Sequence, residues 1–302
     1  MSVNTNSKQT ATLSRESRKL ATLARKALAH CLPLRLRIEL KRLLLLPRDG
    51  ADLLLGRRRH LVPSRYSNRF VGDGDFAAVG DEFLKYFVDL GGLRPTHRVL
   101  DVGSGIGRMA RPLTSYLTGG SYEGIDIVPQ GIDWCQNNIT PRYPNFHFQL
   151  ADIRNPMYNP RGHSDAAEYR FPFRDAEFDF ACLTSVFTHM RKREMEHYLA
   201  ELARTMRPNG RCLVTYFLLN DEARALITAG RSSIDLRHPL DGCWTNNEDV
   251  PETAIGFDEE YIRTLSHDTG FTVETIRHGS WCDRQEYLSY QDFIVARRNP
   301  TP

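Results

Sequence analysis

Val99-Leu100-Asp101-Val102-Gly103-Ser104-Gly105-Ile106-Gly107-Arg108 runs from an apolar stretch through an acid into three glycines at alternate positions. An unbroken apolar run bounded by a turn reads as a parallel strand covered on both faces. The glycines mark a sharp passage from strand to helix, because glycine permits conformations and close backbone approaches that a Cβ forbids. Free N–H groups at the helix start then face whatever binds there. Twenty-five residues beyond Asp101, Tyr122-Glu123-Gly124-Ile125-Asp126 ends in a second acid. That is the place from which a carboxylate accepts both hydroxyls of a ribose. The two patterns together point to a cofactor that contains a nucleoside.

The glycine order narrows the choice of cofactor. Dinucleotide folds carry G-x-G-x-x-G, with the third glycine serving helix packing. Here Asp101, Gly103, Gly105 and Gly107 spell D-x-G-x-G-x-G, which resembles motif I of the class I S-adenosylmethionine-dependent methyltransferases. Asp126 matches the ribose-binding acid of that family. Phe171-Pro172-Phe173-Arg174-Asp175 ahead of Phe178-Asp179-Phe180, and Met206-Arg207-Pro208-Asn209-Gly210 further on, look like the same fold.

Working outward from the glycine bend, hydrophobic period and breakers predict alternating helices and strands. Helices are expected over residues 80–93, 106–117, 130–139, 189–206 and 258–269, and strands over 98–102, 122–127, 146–150, 178–183, 211–218, 271–277 and 291–297. Residues 220–257 read as a long irregular insert. The alternation is that of a doubly wound α/β fold. The resemblance covers residues 68–298 and implies more: a Rossmann-like methyltransferase fold, its seven-stranded sheet mostly parallel with the last strand antiparallel.

The resemblance also assigns residues. With S-adenosylmethionine as cofactor, Gly103, Ser104 and Gly105 lie beneath its methionine and ribose portions, and Asp101 helps to orient them. Asp126 holds the ribose hydroxyls and Ile127 flanks the adenine. Asp152 accepts from the adenine amine, or else caps the turn just past its strand, and the Ile153 main chain donates to the adenine edge. Thr184, at the end of the fourth strand, lies where ligands sit in such sheets. His189 follows; its near-neutral pKa suits a general base for an acceptor hydroxyl, the alternative being a capping or packing role. Asn155-Pro156-Met157-Tyr158 is similar to the motif of methyltransferases acting on planar nitrogens. It follows the third strand rather than the fourth and lacks the second proline, which disfavours that acceptor.

Bulk properties set the remaining expectations. Residues 1–70 hold sixteen Lys and Arg against four Asp and Glu, a net of +12, and since the 302-residue chain is +3 overall the remainder carries −9. A basic helical arm, partly disordered, is expected over residues 1–66, ahead of a methyltransferase domain over residues 67–300. Its segment LRLRIELKRLLLL (residues 34–46) either packs on the body or makes a weak membrane-surface or partner contact. Residues 65–76 close over the cofactor or form a plain surface loop. The six cysteines are scattered, with no C-x-x-C pair or Cys/His cluster, so free thiols in the cytoplasm and no metal are expected. Long loops at the ligand edge carry specificity, which turns attention to Arg231, Arg237, His238, Trp244 and Asn246 in the insert, and to His278, Trp281, Tyr287 and Tyr290 beyond it.

The function expected from these residues is O-methylation of a small-molecule acceptor such as a sugar, lipid or secondary metabolite, with nucleic acid disfavoured as a partner. Alternatives are an RNA or protein methyltransferase using the arm, a cofactor-binding interaction protein without catalysis, and a nicotinamide oxidoreductase.

Overall fold

The computed structural model describes residues 74–156 and 158–300 throughout and, before them, residues 47, 50, 51, 55, 59–64, 67, 68 and 72. The helical arm expected up to residue 66 therefore lies mostly outside the described residues, and the cofactor-closing segment of residues 65–76 about half outside them. The chain divides into two units, Met1–Arg59 with Pro63–Arg69, and His60–Val62 with Phe70–Pro302. In the first, Ser64 Oγ takes the Ser67 N–H at 3.1 Å. The second holds the fold.

Strands β1 (Arg98–Val102), β2 (Ser121–Asp126), β3 (Phe146–Leu150), β4 (Phe178–Leu183) and β5 (Met206–Tyr216) run parallel. Four short strands follow: β6 (Leu218–Leu219), β7 (His238–Leu240), β8 (Cys243–Thr245) and β9 (Ile255–Asp258). β10 (Phe271–Arg277) and β11 (Asp292–Arg298) complete the large sheet, β11 antiparallel to both β5 and β10. Its order is β10-β11-β5-β4-β1-β2-β3, and its seven strands with the last antiparallel are what the resemblance implies. The direction of winding reverses between β1 and β4, and in open sheets of this kind ligands sit outside the carboxyl ends of the strands at that reversal.

Helices α1 (Phe76–Asp89), α2 (Ala110–Tyr116), α3 (Pro129–Asn138), α4 (Lys192–Thr205), α5 (Asp221–Thr228) and α6 (Glu259–Asp268) complete the fold. Both sheet faces are covered. Leu100 and Val102 join a core with Leu183 and, from α4, Met195 and Leu202. Val99 joins a second core with Phe87 of α1, Leu113 of α2 and Ile132 of α3. Each such side chain, fully buried, contributes roughly 1.5–3 kcal/mol. Among the described residues no helix is long and apolar enough to cross a membrane. The five described cysteines are free and buried.

Three expectations are corrected by the structure. The helix expected from residue 106 begins only at Ala110, because Gly105 and Gly107 hold φ of 58° and 80°, left-handed conformations that no right-handed helix includes. The helix expected from His189 is two elements: a 3-10 turn Phe187–His189, an extended Met190, then α4 with the Arg191 N–H bound to Glu194 Oε2 at 2.8 Å. The insert is not irregular. Asn220 caps α5 by accepting from the Ala223 N–H at 3.0 Å, and the short strands form a second sheet in the order β6-β9-β8-β7. Strands of two to four residues are too short to show a period, so their pairing is invisible until the chain is folded.

One buried polar hub ties the insert to the large sheet. Asp292, at the start of β11, is fully buried; one carboxylate oxygen accepts from the Leu218 N–H at 2.6 Å and Trp281 Nε1 at 2.7 Å. The other accepts from the Gly279 N–H at 2.6 Å and from the buried Arg284 guanidinium at 2.8 Å. Arg284 also donates to Asn220 Oδ1 at 3.2 Å, at the entry to α5.

Candidate active site

The bend after β1 follows from its glycines. Gly103 takes φ of 84°, and its N–H and that of Ser104 both donate to the Ile125 carbonyl, at 2.8 and 3.1 Å. A Cβ on Gly103 would collide with the Val186 side chain, and one on Gly107 would stand 2.7 Å from Ile139 Cδ1. The first and third glycines therefore serve close packing against β4's exit and α3. Gly124 plays the same part on β2, where a Cβ would lie 2.9 Å from that of Ser104. Gly103→Ala should lower the unfolding free energy by about 1–3 kcal/mol, from the left-handed backbone together with the clash. Chemical denaturation measures it; a loss below about 0.5 kcal/mol would show that the bend tolerates a Cβ.

Asp126 ends β2 directly beside this bend. Its Oδ2 accepts from the Gly105 N–H at 2.7 Å and its Oδ1 from the Val128 N–H at 2.8 Å. Burial pushes its pKa up, opposed by those main-chain donors. A carboxylate has about four acceptor sites, so lone pairs remain on both oxygens. Ile127, half-buried beside it, packs on the core.

Asp101 behaves differently from the expectation. Its Oδ2 accepts the Tyr122 phenol at 2.5 Å, and it faces Cys182 on β4. It braces β1 against its neighbours, while its Oδ1 is buried without a hydrogen bond. Its pKa is raised to about 7 by burial. Asp152 and Ile153, expected at the adenine edge, have partners of their own. The Ile153 N–H closes a tight turn onto the Ala151 carbonyl at 2.7 Å, so that donor is taken. Asp152 is exposed and holds His163 Nδ1 at 2.7 Å, a bond that depresses its carboxyl pKa.

At the end of β4, Thr184 is half-buried and Ser185 takes φ of 59°. A non-glycine residue in that region stores strain and is frequent at functional sites. Ser185 is held by its N–H on Thr215 Oγ1 at 2.7 Å and its hydroxyl on Gln291 Oε1 at 3.0 Å. His189, at the end of the following 3-10 turn, pairs through Nδ1 with the Glu252 carbonyl at 2.8 Å. A carbonyl only accepts, so Nδ1 carries the proton and Nε2 keeps its lone pair. Burial lowers the imidazole pKa below the usual 6.5, and the Glu252 bond opposes that shift.

Two neighbours were missed in the sequence. Tyr158 sets its ring edge-on to His189, centroids 6.2 Å apart, and Asp126 helps burial to raise its phenol pKa. The segment dismissed as a misplaced nitrogen motif thus stands beside the site. Glu252 had no signal at all, since its contribution is a main-chain oxygen. The acceptor candidates are mostly engaged elsewhere. Arg231 pairs with Asp283, Arg237 with Asp235, His238 with Glu248, Trp244 with Arg224, and Asn246 with Thr253. His278 binds Glu259, Trp281 is wholly buried, and Tyr287 and Tyr290 are exposed.

Known proteins carry the same pattern. A family profile described as a methyltransferase domain matches residues 60–276. The chain belongs to that family. A phthiotriol/phenolphthiotriol dimycocerosates methyltransferase of Mycobacterium tuberculosis is 32% identical over 126 residues, 41% of this chain and 37% of that protein. A demethylmenaquinone methyltransferase of Tropheryma whipplei is 29% identical over 126 residues, 42% and 44% of the two chains. The chain thus spans less than half the length of these curated relatives. A solved SAM-dependent methyltransferase of Methanosarcina mazei aligns with a TM-score of 0.50 at 20% identity, over 71% of this chain and 98% of that one. A Pyrococcus horikoshii protein aligns at 0.52 with 15% identity, over 76% and 94%. The fold is that of the class I S-adenosylmethionine-dependent methyltransferases.

The residues present fit that cofactor. Gly105, at φ of 58°, leaves the middle of the bend without a side chain, and Asp126 retains acceptor capacity beside it. Ser104 Oγ, in the bend itself, is buried with no partner. A buried hydroxyl without a hydrogen bond costs free energy that a polar ligand recovers.

Proposed function

We propose that this methyltransferase methylates a hydroxyl group on a small molecule with a substantial apolar body. The observation that carries the proposal is the His189 imidazole at the exit of β4, its Nδ1 proton committed to the Glu252 carbonyl and its Nε2 lone pair uncommitted. Names of the matched relatives, a phthiotriol/phenolphthiotriol dimycocerosates methyltransferase and a demethylmenaquinone methyltransferase, support small-molecule rather than macromolecular acceptors.

Bound S-adenosylmethionine supplies a methyl group activated by its sulfonium. The glycine bend and Ser104 hold its amino-acid and ribose portions, and Asp126 accepts the ribose hydroxyls. Ile127 gives the adenine an apolar flank, and Thr184 lines the chamber between donor and acceptor. His189 Nε2 accepts the proton of the acceptor hydroxyl, which raises the electron density on that oxygen. The resulting imidazolium is steadied by the Glu252 carbonyl. Alignment of the reacting groups supplies much of the acceleration in such transfers.

His189→Ala should lower turnover by about 10²- to 10⁴-fold, the usual worth of a placed general base, while S-adenosylhomocysteine affinity stays within about twofold. In the parent the acid limb of the rate profile should lie below pH 6.5, since burial favours the neutral ring. Transfer of labelled methyl into hydroxyl-bearing lipids and phenols reads both. Turnover within threefold of the parent in the alanine variant would remove His189 as the base.

A further inference from the structure

One residue of the insert grips both ends of the His189-Met190-Arg191 tripeptide. The main-chain oxygen of Glu252 takes the Nδ1 proton of His189 at 2.8 Å. Its carboxylate, 13% exposed, meets the Arg191 guanidinium at 2.9 Å from both Nε and a terminal nitrogen. Between the grips, Met190 is buried and extended, with ψ of 140°. The Met190 N–H reaches the Phe187 carbonyl only at 3.5 Å and the Arg191 N–H bonds Glu194, so the course of this extended link leans on partners outside it as well.

We infer that Glu252 is the positioning residue that holds His189 in the tautomer with Nε2 bare, so that seating of the insert is a condition for a competent base. A side-chain amide or a water at Nδ1 allows either tautomer, because each both donates and accepts. A carbonyl oxygen selects one. That oxygen sits in the 3-10 turn Pro251–Thr253, which is anchored from its own side. Thr245 Oγ1 donates to the Pro251 carbonyl at 2.9 Å, and Thr253 Oγ1 donates to Asn246 Oδ1 at 2.8 Å. The Arg191 ion pair holds the turn onto the start of α4. The ion pair is partly shielded from water, and Glu194 adds a like charge near the Glu252 carboxylate. Two guanidinium nitrogens converge on the single oxygen Oε1, which holds the charge pair from two directions. The insert thereby acts on the chemistry through one main-chain oxygen, without placing a side chain on substrate.

The inference rests on His189 as the proposed base for its purpose, yet its test needs no methyl acceptor. Nitrogen-15 spectra of the histidine rings in the full chain, with and without S-adenosylhomocysteine, read the tautomer directly. His189→Gln identifies its resonances. The parent should show His189 with Nδ1 protonated and Nε2 bare above the ring's pKa. Glu252→Ala and Arg191→Met, both still folded by their amide spectra, should show mixed tautomers, with Nε2–H populated at least about tenfold more than in the parent. Arg191→Lys, which keeps the charge, should restore most of the parental spectrum. An Nε2–H tautomer in the parent would overturn the inference, and so would an unchanged tautomer in both Glu252→Ala and Arg191→Met. Loss of turnover in His189→Ala bears on the base alone, so failure of the two ideas is told apart.

Discussion

Asp126→Ala is expected to weaken S-adenosylhomocysteine binding by about 100-fold, close to 2.7 kcal/mol. The carboxylate accepts the Gly105 and Val128 N–H groups and has lone pairs to spare for a diol. Its removal takes away the ligand's strongest acceptor and leaves two main-chain donors beside the bend unmatched. Hydrogen bonds to a charged group are each worth about 1.5–3 kcal/mol, so the loss of even one to ribose is large. Asp126→Asn, which keeps one carbonyl oxygen, should fall between parent and alanine. Titration calorimetry measures the affinity and far-ultraviolet circular dichroism checks the fold. A dissociation constant within about threefold of the parent in a folded Asp126→Ala protein would place the ribose elsewhere.

Asp292→Asn is expected to cost stability rather than affinity, by about 3–5 kcal/mol, as for a buried ion pair that loses one partner. Arg284 is 1% exposed and Asp292 wholly buried, so the guanidinium cannot turn to water and keeps only the exposed Glu222 carboxylate at 3.2 Å. The effect should appear as a lower urea midpoint with little change in slope. Replacing both charges, Asp292→Leu with Arg284→Met, should be milder than adding the two single losses, because no lone charge remains buried. A loss below about 1 kcal/mol in Asp292→Asn would show that the hub is not what joins the insert to the sheet.

The two variants probe positions of very different legibility. Asp126 could be found in the sequence because it ends a strand at a fixed distance from a glycine bend, and both features lie within local runs. Asp292, Arg284 and Trp281 carry no such mark. Trp281 and Arg284 stand in a turn-rich stretch between β10 and β11, and Asp292, the first residue of β11, gathers donors from Leu218, Gly279, Trp281 and Arg284 only after the chain closes on itself. Asp101 shows the opposite failure. Its place in the motif is plain, but which way its carboxylate turns depends on Tyr122 of the next strand. The tight turn that engages the Ile153 N–H on Ala151 is equally invisible in the sequence.

By itself the sequence determined the order of the strands along the chain, the glycine bend after β1, the acid at the end of β2 and the family to which the chain belongs. Those features are written in hydrophobic period and in backbone geometry that only glycine tolerates, both of which act over a few neighbouring residues. Tertiary structure alone decided that β6, β7, β8 and β9 form a second sheet and that Tyr158 packs beside His189. It alone decided that a carbonyl 63 positions away fixes the proton on that imidazole. Such meetings join segments remote in sequence. The hydrogen bonds that define them form between groups every residue carries, so no residue type announces them in advance.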